Sequence, residues 1–149
     1  MSQYLLDILP LAAKGYCCSQ ILALLSLSAQ GSSNPGLVRA LGGLCHGMGQ
    51  CGLTCGVLTG GACVLSHYLG KGADDESPSD KADLAISEFV DWFTARTAQY
   101  GGTTCADILG ECYQEKPDMS RCGELIGEAW GQILTILTGL GVDPSESRE

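Results

Sequence analysis

The stretch SRCGELIGEAWGQILTIL, residues 120–137, decides the fold class. Its apolar residues Leu125, Ile126, Ala129, Trp130, Ile133, Leu134 and Leu137 recur at intervals of three and four, which lines one face of an α-helix. Sustained period-two alternation, the mark of a half-buried strand, occurs nowhere along the 149 residues.

Working outward, the same helical spacing returns. Residues 3–14 carry Tyr4, Leu5, Ile8, Leu9 and Ala12, with Pro10 as a point where the helix can kink and Gly15 as its stop. Cys17 to Ala29 is apolar nearly all round and reads as a buried helix. Asn34 caps a third helix, with Pro35 at its first position, running through Leu44. Thr54 to Leu69 reads as a glycine-rich central helix. Ser77 and Asp80 form a start signal for a helix bearing Leu84, Phe89, Trp92, Phe93 and Arg96, which ends at Gly101-Gly102. A short helix covers Cys105 to Leu109. The expectation is an all-α single-domain bundle of five to seven helices over residues 1–142, followed by a frayed, disordered acidic tail at 143–149.

Composition narrows the functions. Hydrophobic residues make up 45% and charged ones 17%, as in a globular chain. A formal net charge of -9 argues against nucleic acid, whose phosphates need clustered Lys and Arg, and against an anionic membrane surface. The opening residues Met1 to Asp7 lack the basic region and cleavage pattern of a signal peptide, so a cytoplasmic protein is expected. No Asp, Glu, Lys or Arg occurs from Ala40 to Gly70, but Gly, Thr, Gln, Cys and His interrupt that stretch. It reads as a buried core helix and not as a membrane span.

Nine cysteines are the chemical signal. A reducing cytosol disfavours structural disulfides, so the expectation is thiolates serving as metal ligands or redox groups. Cys17, Cys18, Cys45, Cys51, Cys55, Cys63, Cys105, Cys112 and Cys122 include no Cys-x-x-Cys pair, so any metal ligands must come from separate helices. Cys18, Cys55, Cys105 and Cys122 each fall in or near an expected first helical turn. Free amide N–H groups and the positive dipole end lie there, and both lower a thiol pKa and favour an anionic centre. Gly52, Gly56 and Gly60, four apart, would bare one helix face for close packing or for a cofactor beside Cys55. Cys51 and then Cys45 are the candidates for an extra ligand or a resolving thiol. Cys63 reads as packing, Cys112 has no assigned role, and His46 and His67 read as structural. No P-loop, dinucleotide fingerprint or Ser-His-Asp signal is present.

The segments Gly15-Tyr16-Cys17-Cys18-Ser19-Gln20, Cys55-Gly56-Val57-Leu58-Thr59-Gly60 and Tyr100-Gly101-Gly102-Thr103-Thr104-Cys105, followed by Cys122, resemble the C-GCAxxG-C-C family of small redox-active proteins. The likeness covers about Gly15 to Leu137 and puts the family cysteines on Cys18, Cys55, Cys105 and Cys122. Two positions depart from it: the family's Asn before the first cysteine is Cys17 here, which leaves two adjacent thiols as ligand candidates, and its Ala is Val57. The resemblance implies a prosthetic group, an iron–sulfur cluster ([4Fe–4S] or [2Fe–2S]), with Gly56 and Gly60 beside it. It also implies a role beside oxidoreductases or transporters, some of them molybdenum-linked.

The leading expectation is an electron-transfer accessory protein, not a stand-alone enzyme, possessing such a cluster. The alternatives are a thiol–disulfide protein with a low-pKa Cys18 or Cys55 and candidate pairs Cys17–Cys18 or Cys51–Cys55, a zinc or metallochaperone module, and a helical adaptor without cofactor. A homodimer is expected from the apolar helix faces.

Overall fold

The computed structural model describes residues 3–110 and 119–148. Among the described residues, seven α-helices form a single compact domain: α1 (Leu5–Ala13), α2 (Cys18–Ala29), α3 (Pro35–Leu41), α4 (Gly56–Leu69), α5 (Ala82–Thr97), α6 (Cys105–Leu109) and α7 (Met119–Gly139). Short 3₁₀ turns follow α3 (Gly42–Leu44) and α5 (Ala98–Tyr100), and one irregular turn spans Cys45–Met48. Among the described residues the one β feature is an isolated antiparallel bridge between Thr54 and Thr104. The all-α expectation holds.

The starts follow local chemistry. Asn34 accepts a hydrogen bond from the Leu37 N–H at 3.1 Å with Pro35 at the first helical position, as the sequence led us to expect. Thr104 caps α6 through the Asp107 N–H at 3.0 Å. The expected Ser77 cap is not used: α5 begins at Ala82 behind Lys81, which offers no side-chain cap. In place of that cap, Ser79 turns back, its N–H donating to Leu69 O at 2.7 Å, and so ties the 71–80 loop to the end of α4.

The core joins Ile21, Leu22, Val64, Leu65, Phe89, Phe93, Leu125, Ile133 and Leu137. The face read from residues 120–137 is the buried face of α7, with Ile136 added and Leu134 only half-buried. Two stripes each include a leucine that does not face inward. On α1 the buried line is Tyr4, Ile8 and Leu11, and Leu9 is 53% exposed. On α5 Ala85, not Leu84, faces the core, because Phe89 and Phe93 set the register.

α4 is the central helix, and its glycines explain how closely its neighbours approach. A Cβ at Gly60 would stand 2.7 Å from Ser19 Cα, so α2 packs backbone to backbone there. A Cβ at Gly61 would collide with the Phe89 ring of α5. No helix among the described residues is long and apolar enough to cross a membrane. Residues 143–148 lie back along the bundle: Tyr68 donates its hydroxyl to Pro144 O at 2.8 Å, and Arg148 pairs with Glu76 at 3.0 Å.

Candidate thiol centre

Four chain segments carry the cysteines of interest. Cys17 is the N-cap residue of α2 and Cys18 its first helical residue. Cys55 is the N-cap residue of α4, Cys105 opens α6, and Cys122 lies in the first turn of α7. The placement at helix starts is therefore as expected.

Main-chain pairing joins two of these starts. The Cys55 N–H donates to Thr103 O at 2.9 Å, and the Cys105 N–H donates to Leu53 O at 2.7 Å. These bonds flank the Thr54–Thr104 bridge, so both cysteines leave the same short ladder and both are buried, at 5% and 8% exposure. α2 brings the third sulfur. A Cβ at Gly56 would lie 2.5 Å from Cys18 Sγ and 3.1 Å from Leu44 O, so only glycine leaves room for that sulfur. Ionisation of Cys18 is opposed first by burial and then by the neighbouring Cys55, Cys122 and Cys105 thiols. The other three thiols thus lie within electrostatic reach of Cys18, and Cys105 within reach of Cys55. Among the described residues, no group of three or more His, Cys, Asp or Glu side chains is arranged to hold a single metal ion.

One expectation about this chemistry is overturned. Helix-end amides do act as foreseen: the N–H groups of Val57 and Leu58 pull the Cys55 pKa down, and that of Ser19 does the same for Cys18. Burial outweighs them. Cys55 is pushed up to about 11, and Cys18 and Cys105 are also raised. These are protonated thiols at neutral pH, so neither Cys18 nor Cys55 is a low-pKa nucleophile.

Gly52 is not on the face of Gly56 and Gly60; it lies outside α4 in a loop at φ +70°. For the same reason Cys51 and Cys55 do not share a helical face: Cys51 is exposed in that loop and Cys55 is buried. Cys63 is a half-buried thiol packed on the core, and Cys112 lies outside the described residues.

The arrangement of motif cysteines and glycines agrees with a family model. The description "Putative redox-active protein (C_GCAxxG_C_C)" matches residues 16–136.

The chain belongs to the C_GCAxxG_C_C family.

No curated protein and no solved structure matches it. Within the family motif, Gly56 is the position that admits the Cys18 sulfur, and Gly60 is the position that admits the α2 backbone. Val57, where the motif has Ala, is 1% exposed and points into the core, where the larger side chain is accommodated.

Sequence reasoning missed one feature. Cys17 and Cys45 form a disulfide, with Cα atoms 5.8 Å apart, where free thiolates were expected. Neither of the pairs Cys17–Cys18 and Cys51–Cys55 forms. Of the two adjacent thiols at the start of α2, Cys18 is therefore the free one. The signal that could have revealed the pair is the replacement of the family's Asn by Cys17, but its partner lies 28 residues away.

Proposed function

We propose that this redox-active family member is an electron-transfer accessory protein in which Cys18, Cys55, Cys105 and Cys122 hold an iron–sulfur cluster, acting beside an oxidoreductase. The observation that supports this reading is the approach of three thiols, Cys55, Cys105 and Cys122, to Cys18, the four being drawn from four separate helix starts. The donor set fits the group: four soft thiols, apolar surroundings and no competing carboxylate among the ionisable groups that act on Cys18. A bound cluster supplies reversible one-electron transfer.

The chain's own residues supply the rest. Burial makes an isolated thiolate costly at Cys18, Cys55 and Cys105 and favours their protonated form, so binding a metal centre there would release protons. Amides of Ser19, Val57 and Leu58 are positioned to hydrogen-bond sulfur and to moderate the negative charge. Gly56 leaves the gap in which the Cys18 sulfur lies, and Gly60 lets α2 come close enough to deliver it.

Anaerobic purification with iron, acid-labile sulfide and zinc quantification tests the proposal. Iron and sulfide in equal amounts with a visible absorption band support it. Zinc alone favours the metallochaperone reading, and a colourless, metal-free protein after reconstitution overturns the cluster. One observation favours a second reading, thiol–disulfide chemistry: the bond between Cys17 and Cys45.

A further inference from the structure

The segment between the disulfide and the thiol centre has an unusual backbone. His46, Gly47, Met48, Gly49 and Gln50 all have positive φ, at 57°, 67°, 66°, 62° and 66°. With ψ of 36°, 40° and 34° at His46, Gly47 and Gly49, this is a left-handed helical turn. Gly47 and Gly49 adopt it freely. His46, Met48 and Gln50 do not, and each costs roughly 1–2 kcal/mol in that region. Such a turn persists only where its surroundings hold it.

Its surroundings are specific. Cys45 ties its start to Cys17. The Gly52 N–H donates to His46 O at 3.3 Å and the Leu53 N–H to Gly47 O at 3.2 Å. Leu53 O and Gly52 O then accept from Cys105 N–H at 2.7 Å and Ala106 N–H at 3.2 Å. The disulfide, the strained turn and the backbone pairing of Cys55 with Cys105 are thus consecutive links of one chain.

A fully buried hydroxyl serves the disulfide directly. Ser19 donates its single proton to Leu41 O at 2.8 Å. Its oxygen is 3.3 Å from Cys17 Sγ and 3.7 Å from Cys45 Sγ. With that proton committed, Ser19 can only accept from the two sulfurs. Disulfide sulfurs carry no hydrogen; thiols do. The cysteines gain these hydrogen bonds only when reduced, so Ser19 favours the dithiol form.

We propose that Cys17 and Cys45 are a reversible dithiol–disulfide couple, a redox site separate from the four thiols, whose state governs the left-handed turn His46–Gln50. The reductant is a dithiol, protein or small molecule. One of its thiolates attacks Cys45 Sγ at the start of the exposed loop; the Cys17–Cys45 bond breaks, a mixed disulfide forms at Cys45, and Cys17 leaves and takes up a proton. The second thiol of the reductant, deprotonated, attacks its own sulfur in that mixed disulfide and releases Cys45, which is protonated in turn. Two electrons and two protons pass to the pair, and the reductant becomes a disulfide. Both cysteines are only half-buried, which leaves the bond open to exchange. Once the tie at Cys45 is cut, the turn loses one of the constraints that oppose its backbone cost.

The test equilibrates the full-length chain with mixtures of reduced and oxidised dithiothreitol, quenches in acid, alkylates and maps the peptides by mass. Cys17 and Cys45 should change together in one two-electron step without denaturant. Amide exchange at Cys51, Gly52 and Leu53 should be at least tenfold faster in the reduced chain and slow again on reoxidation. Ser19→Ala keeps the Cβ that packs on Gly60 and should lower the equilibrium constant for reduction roughly three- to tenfold, the loss of one hydrogen bond. Cys45→Ser should show the fast exchange under all conditions, and the wild-type comparison stands by itself if that variant does not fold. A bond inert to dithiothreitol in the native protein, oxidation at another pair, or identical exchange in both states would overturn the proposal. None of these readouts needs iron, so this site and the cluster reading fail separately.

Discussion

The sulfur of Cys18 occupies the space that a side chain at Gly56 would need, with only 2.5 Å to a Cβ built there. This contact couples the first cysteine of the family motif to its glycine. Gly56→Ala must displace either α2 or the sulfur, at about 1–3 kcal/mol for overpacking. Denaturant unfolding of the variant should show that loss, and iron content should fall with it. Gly60→Ala meets Ser19 backbone, which yields less readily than a side chain, so it should cost at least as much.

Replacing any one of Cys18, Cys55, Cys105 and Cys122 with Ser should lower bound iron and sulfide by more than half after anaerobic reconstitution. Cys63→Ser is the control. That thiol packs on the core away from the helix starts, and its replacement should leave iron content unchanged. Iron retained in all four variants would remove these residues from the site.

The pH dependence of the reduced, metal-free protein has a definite sign. Cys55 rises from 9.0 to about 11 because it is buried. Between those values the folded chain keeps a proton that the unfolded chain has lost, so stability is full below about pH 9 and falls as pH rises through about 11. Two pKa steps correspond to on the order of 2–3 kcal/mol. Cys18 and Cys105 shift in the same direction and add to the loss. Urea midpoints at about pH 8 and pH 10.5 provide the measurement. A midpoint that rises with pH would show that helix-end amides, not burial, dominate.

Arg96 joins α5 to α7, with its Nε 2.6 Å from Glu128 Oε2. The pair is only partly exposed, at 21% and 34%, so it should contribute more than an open surface pair. Glu128→Gln should lower stability by about 1 kcal/mol. Raised salt should weaken the wild type toward the variant.

Chelating iron from anaerobically loaded protein should lower Tm by several degrees, because ligands that bind only the folded state stabilise it. The effect should vanish in Cys55→Ser.

Much of the helix pattern was readable because the causes are local. Asn34-Pro35 caps and starts α3 through bonds within one turn, and the stripe of residues 120–137 needs no knowledge of its partner. Stripes with mixed signals slipped: Leu84 and Leu9 are as apolar as their neighbours, and only packing against other helices decides which of them faces inward. The fate of Ser77 as a cap was decided by the tie from Ser79 to Leu69, which holds the chain away from helix until Ala82.

The positions of the cysteines relative to helix starts, the all-α class and the family were properties of the sequence alone, since each depends on residues close in the chain or on their order. The bond between Cys17 and Cys45, the left-handed turn that follows it and the protonated state of Cys18 and Cys55 were decided only by tertiary structure. Pairing and desolvation depend on which distant segments meet and what they exclude from water, and helical periodicity carries no record of either.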